Sequence, residues 1–151
     1  MRIVVDDLAG PEIAALLYEH LEEMRAVSPP ESKHALDLDG LRRPEVTCWT
    51  VWDARTLLGC GALLELDPTH GEIKSMRTAS AHQGRGVGSR LVEHVVAEAR
   101  RRGYRRLSLE TGASDHFAPA RRLYAHHGFV PCAPFADYRD DPHSAHLTLV
   151  L

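Results

Sequence analysis

Three glycines, Gly84, Gly86 and Gly88, fall within the stretch HQGRGVGSR, and a helix-forming segment follows at once. Glycine weakens regular structure by about 0.5–1 kcal/mol relative to alanine, so a cluster at this point marks a need for bare backbone. The residues ahead of it, GEIKSMRTA, read as a strand. A strand, a glycine-rich turn and a helix start together make a cradle for phosphate. First-turn N–H groups have no intrahelical partner, the helix dipole adds positive charge, and absent Cβ atoms let oxygens approach. Arg85, inside the turn, adds a charge-assisted donor. A P-loop needs Lys followed by Ser or Thr, which is missing here, and GRGVGS does not have the GxGxxG spacing. ATP and NAD are therefore poor fits.

The rest of the chain sets the architecture. RIVV is a short strand, and residues 11–27 carry an apolar stripe of Ile13, Leu16, Leu17, Leu21 and Met24, with Pro11 suited to a first helical turn. SPPESKHALDLDGLRRPE breaks that pattern and reads as a loop with one or two helical turns. VTCWTVWD, LLGCGALLEL and EIKSMRTA, joined by short turns, predict an antiparallel meander. After the glycines, Leu91, Val92, Val95, Val96 and Ala99 repeat at helical steps up to Gly103. RRLSLET then reads as a half-buried strand, SDHFAPARRLYAHHG as a short helix closed by Gly128, and FVPC and HLTLVL as closing strands. The expected fold is α/β (α+β), one domain over residues 1–151, with a mixed sheet of about six to seven strands and about four helices.

Composition narrows the partners. Hydrophobic residues make up 44% and charged residues 26%, ordinary for a globular chain. No apolar run approaches a membrane span, and MRIVVDDLAG lacks the apolar stretch of a signal peptide, so the expectation is a cytoplasmic protein without a membrane partner. Net charge is -3. The basic knot EARRRGYRR lacks interleaved aromatics beyond Tyr104, which argues against nucleic acid. Cys48, Cys60 and Cys132 form no CxxC pair, and the ten histidines show no HExxH, so no metal site is expected.

QGRGVG fits Gln or Arg, two residues, Gly, one residue, Gly or Ala, between a strand and a helix. LYAHHGF matches a second recurring segment, LYxxxGF. With the order of elements, these make the chain resemble the GNAT superfamily of N-acetyltransferases along essentially its whole length, most specifically over residues 71–132, and in particular its small stand-alone bacterial members.

That resemblance implies acetyl-CoA as cosubstrate and direct attack of an amine on the thioester. It implies pyrophosphate on the turn Gln83, Gly84, Arg85, Gly86, Val87, Gly88 and Ser89, and the pantetheine arm beside Ser75, Met76 and Arg77, paired like an added strand. Tyr124 matches the family's usual general acid, and its spacing with Ala120 and His127 turns it inward. Glu72, eleven residues before Gln83, has the spacing of the base glutamate in one branch of the family. Glu110, His34 or water are the alternatives for the base. Where the family often has an Asn, seven residues before the tyrosine, this chain has Phe117.

The family's acceptor site points to SPPESKHALDLDGL and PFADYRDDPHS, with His34, Asp37, Glu110 and Tyr138 as candidate substrate contacts. Acidic groups there suit an ammonium-bearing small molecule. A protein amine, either lysine or an N-terminus, and a CoA-binding module without turnover are the competing readings. A homodimer is compatible with the resemblance.

Overall fold

The structure, a computed structural model, describes residues 1–32 and 35–151, without the side chain of Glu31. β-Branched and aromatic residues between Val46 and Thr78 form three strands, β2 (Val46–Asp53), β3 (Thr56–Asp67) and β4 (His70–Thr78), and the short β1 (Arg2–Val5) adds to the edge of β2. β4 starts at His70, ahead of the expected Glu72. The carboxylate of Asp67 accepts both the N–H and the hydroxyl of Thr69, which tightens the hairpin to two residues.

β4 then pairs in parallel with β5 (Arg106–Gly112), and β7 (Ser144–Val150) lies antiparallel between β5 and the two-residue β6 (Val130–Pro131). The seven strands make one mixed sheet in the order β1-β2-β3-β4-β5-β7-β6. A parallel step needs a crossover, and the helix after the glycines supplies it. Of the helices, α1 is Pro11–Val27, α2 Leu38–Leu41, α3 Val87–Arg101 and α4 Ala118–His126.

Each face of the sheet has its own core. Leu91, Val92, Val95, Val96 and Ala99 of α3 pack with Val51, Leu63, Ile73, Leu107 and Leu109. Full burial of a Leu or Val side chain contributes about 1.5–3 kcal/mol. On the other face α1 and α2 cover Cys48, Cys60 and Ala62. Burial pushes the Cys48 thiol up to about 12 and that of Cys60 further, as suits inert core residues. The stripe of α1 differs from expectation: Ile13, Leu16 and Leu17 are buried as predicted, but His20 rather than Leu21 continues the buried row. Among the described residues, no helix is long and apolar enough to cross a membrane.

Candidate active site

At the end of β4 the chain turns through Ser80–His82 into the glycines. Gly84 (φ 79°) and Gly86 (φ 81°) both adopt the left-handed conformation, and a Cβ added at either would, apart from its chain neighbours, meet no described residue within 4 Å. The glycines are therefore required by backbone handedness, and the space above them is open to a ligand. The Ncap residue of α3 is Gly86, which has no side chain to cap the helix, so its first N–H groups lack that partner. Gln83, Gly84, Arg85 and Gly86 are exposed, whereas Val87 is buried beneath them. Arg85 contacts Nδ1 of His82 at 3.0 Å and Asp53 at 3.2 Å. The Ser89 hydroxyl lies 2.7 Å from Nε2 of His127, tying α3 to the end of α4.

The turn opens into a cleft created by a break in the sheet. β4 and β5 pair only as far as Ile73 and Leu109. Ser75 then takes a positive φ of 53°, the β3–β4 register shifts, and the strands part. A cavity of about 540 Å³ fills the gap, within the range of small-ligand sites. Ser75, Met76 and Arg77 line it, as does Gly88. The Ser75 hydroxyl is buried without a hydrogen-bond partner among the described residues. The Arg77 guanidinium turns away to α1, where it donates to Glu23 and, at 2.6 Å, to Glu19. The Ser80 hydroxyl and Arg77 hold Glu19 below the usual carboxylate range.

Beyond Ser75 the cleft becomes a side-chain cluster. Glu72 is 3% exposed. Its Oε2 accepts the Tyr138 hydroxyl at 2.5 Å and Lys74 Nζ at 3.4 Å, and Lys74 also donates to the Tyr138 oxygen at 3.0 Å. Glu110 lines the same cavity, and burial pushes its carboxyl above the usual range. His146, paired across from Glu110 on β7, packs edge-on against Tyr138 at 5.2 Å. A second cavity, of about 810 Å³, shares Glu72, Lys74, Tyr138 and His143 with the first. The Ser32 hydroxyl, from the lining of the first cavity, donates to Asp141, from the lining of the second, which joins the α1–α2 segment to the β6–β7 loop.

Tyr124 reaches the first cavity from α4. It is 5% exposed and packs edge-on against Phe129 at 5.7 Å. Burial raises its pKa, so the phenol stays protonated at neutral pH. Phe117 also lines this cavity, with its ring over Gly112, where an added Cβ would lie 1.9 Å from a ring carbon. An apolar wall stands where the family often places an amide.

Glu72, Glu110, Tyr124 and Tyr138 therefore meet in one cleft. Asp37 does not join them: it is exposed and caps α2 by accepting the Gly40 N–H at 2.9 Å. His34 lies outside the described residues. Sequence reasoning did not single out His20, which lines the cleft and whose buried Nδ1 has no partner among the described residues. A titratable residue inside the apolar stripe of α1 was the available signal.

Comparison with known proteins identifies the family and the fold. Residues 13–129 match the Acetyltransferase (GNAT) family. The chain is 53% identical over 148 residues, 98% of both chains, to the uncharacterized N-acetyltransferase YsnE of Bacillus subtilis. Its fold is similar to a putative acyl-CoA N-acyltransferase from Klebsiella pneumoniae, with a TM-score of 0.82, 28% identity, and coverage of 99% of this chain and 97% of that one. It is also similar to a Bacillus subtilis acetyltransferase crystallised with CoA, with a TM-score of 0.72, 21% identity, and coverage of 99% and 98%.

Proposed function

This chain belongs to the GNAT acetyltransferase family, and from that premise we propose that it moves the acetyl group of acetyl-CoA to a primary amine of a small molecule. The observation that carries the reading is one cavity lined both by Gln83 and Gly88 of the glycine turn and by Glu72 and Tyr124. Acetyl-CoA fits it as cosubstrate. The uncapped helix start suits its pyrophosphate, and the parted strand at Ser75 suits its amide-bearing arm. The CoA complex of the Bacillus subtilis neighbour supports the same ligand.

In this reading Glu72 takes the proton that an ammonium must lose before attack, and the Tyr138 hydrogen bond orients its carboxylate. Tyr124 gives its phenolic proton to the departing thiolate. Glu110 and Tyr138 face the acceptor, and a buried carboxyl favours a cationic group. The Ser32–Asp141 contact links two segments that line the cavities, and such a link supports a small molecule over an extended protein segment.

The test is thiol release from acetyl-CoA across a panel of primary amines, wild type beside Tyr124→Phe. At least one amine should give turnover, and the variant should lose about 10²- to 10⁴-fold in kcat at unchanged KM for acetyl-CoA. Equal turnover by both would remove the role given to Tyr124. Acetyl-CoA binding without turnover on any amine would leave a CoA-binding module.

A further inference from the structure

The chain has sixteen arginines and two lysines, Lys33 and Lys74. Arginine supplies the other described cations that pair with carboxylates, apart from one histidine: Arg25, Arg42, Arg43, Arg77, Arg85, Arg101 and Arg102. The exception is in the cleft. Lys74, with its side chain 10% exposed, pairs with Glu72, whose side chain is 4% exposed. For neutralising a buried carboxylate an arginine would serve as well, with a fork of donors suited to two oxygens. What lysine has and arginine lacks is an amine that can be deprotonated and acylated.

The surroundings of this amine are those an acceptor needs. Nζ lies 3.4 Å from Oε2 of Glu72, the group assigned as base, and Lys74 and Tyr124 line the same cavity. Lys74 thus occupies, from inside the chain, the place on Glu72 that an incoming ammonium must take. We propose that Lys74 is a self-acetylation site, modified by acetyl-CoA bound in its own cleft when no acceptor is present. The inference rests on the reading of the cleft as an acetyl-transfer site.

The step balances with acetyl-CoA as the only co-reactant. The ammonium of Lys74 passes one proton to Glu72. Nζ then bonds to the thioester carbonyl carbon, and the carbon–sulfur bond breaks. Tyr124 protonates the sulfur, and the second amine proton returns to Tyr124 through water. The products are acetyl-lysine at position 74, the free thiol of CoA and one proton released to solvent through Glu72.

Intact mass spectrometry with peptide mapping tests it. The full chain is incubated with acetyl-CoA and no amine, as wild type, Lys74→Arg, Lys33→Arg and Tyr124→Phe. Wild type should gain one acetyl group, mapped to Lys74. Lys33→Arg should gain it equally and Lys74→Arg not at all, and Tyr124→Phe should gain it at least about 10-fold more slowly. Calorimetry with acetyl-CoA and thiol release with the amine panel are run on the same preparations. Turnover of an amine without acetylation of Lys74 would overturn this inference and leave the acetyl-transfer reading standing. Acetylation at Lys33 or the Met1 amine alone, or at an equal rate in Tyr124→Phe, would also overturn it. Absence of acetyl-CoA binding would overturn both.

Discussion

The two ends of the cleft are made of different material. At the glycine end the cleft is walled by main chain: Gly84 and Gly86 in left-handed conformation, and a helix start whose Ncap residue, Gly86, has no side chain to cap it. At the other end are side chains, Glu72 held by Lys74 and Tyr138, with the Ser32–Asp141 contact joining two segments that line the cavities. The first end is contiguous in the chain. The second brings together Glu72 and Tyr138, 66 residues apart. A main-chain site is specified by atoms that must be missing, and a side-chain site by atoms that must converge. Substitutions should therefore damage them differently: an added Cβ and charge at one end, a lost hydroxyl or imidazole at the other.

Gly86→Glu attacks the main-chain end most directly. Position 86 has φ 81°, so any L-residue there costs about 1–2 kcal/mol in folding, which a stable fold absorbs. Apart from its chain neighbours, the new Cβ meets no described residue within 4 Å, so it and the carboxylate project into open space, where the proposed pyrophosphate would lie. Acetyl-CoA affinity by calorimetry should fall at least about 100-fold, some 2.7 kcal/mol. A folded variant that binds like wild type would show that the turn holds no phosphate. Tyr138→Phe is the milder counterpart at the other end. It removes the hydroxyl that donates to Glu72 and accepts from Lys74. The ring remains, with its edge contacts to Phe135 at 5.0 Å and to His146. On an accepted amine, kcat should fall about 10-fold with acetyl-CoA affinity unchanged, since the carboxylate keeps Lys74 but loses its orienting donor. A change confined to acetyl-CoA affinity would mean that the two ends are not separable.

The same contrast explains what the sequence made legible. The glycine turn, the α3 stripe and the LYxxxGF segment are local patterns, and strands, helices and Tyr124 stand where those patterns put them. The sheet was legible as an α/β mixture, but the insertion of β7 between β5 and β6 was not, because β6 is two residues long and has no periodicity of its own. Glu72 was legible from its spacing to Gln83, and on β4 it is joined to Lys74, two residues on. That Tyr138 would meet them depends on the course of the β6–β7 loop, which no local pattern encodes. Asp37 had the right chemistry in the right segment, yet its carboxylate is satisfied by the backbone of Gly40. Acidic residues near a helix start have this local competitor, and composition cannot tell capping from ligand recognition.

The smallest expected effect concerns His20, where the side-chain end should respond to pH and the main-chain end should not. His20 is 8% exposed, its Nδ1 has no partner among the described residues, and burial, aided by the Arg77 charge, lowers its pKa from 6.5 to about 4. A histidine held neutral in the fold takes up protons more readily when unfolded. Its contribution is therefore intact above about pH 7 and is lost progressively as pH falls through 6.5 toward 4. Between pH 7 and 5.5 this amounts to about 1 kcal/mol, from the two pKa values and the linkage relation. His20→Leu removes the titrating group and keeps an apolar residue in the stripe of α1. Urea unfolding of both proteins at the two pH values isolates the effect, because His70, whose pKa burial also lowers, is present in each. Wild type should lose about 1 kcal/mol more than the variant on acidification. Equal losses would mean that His20 is protonated in the folded protein and that water or an acid of the cleft reaches its ring.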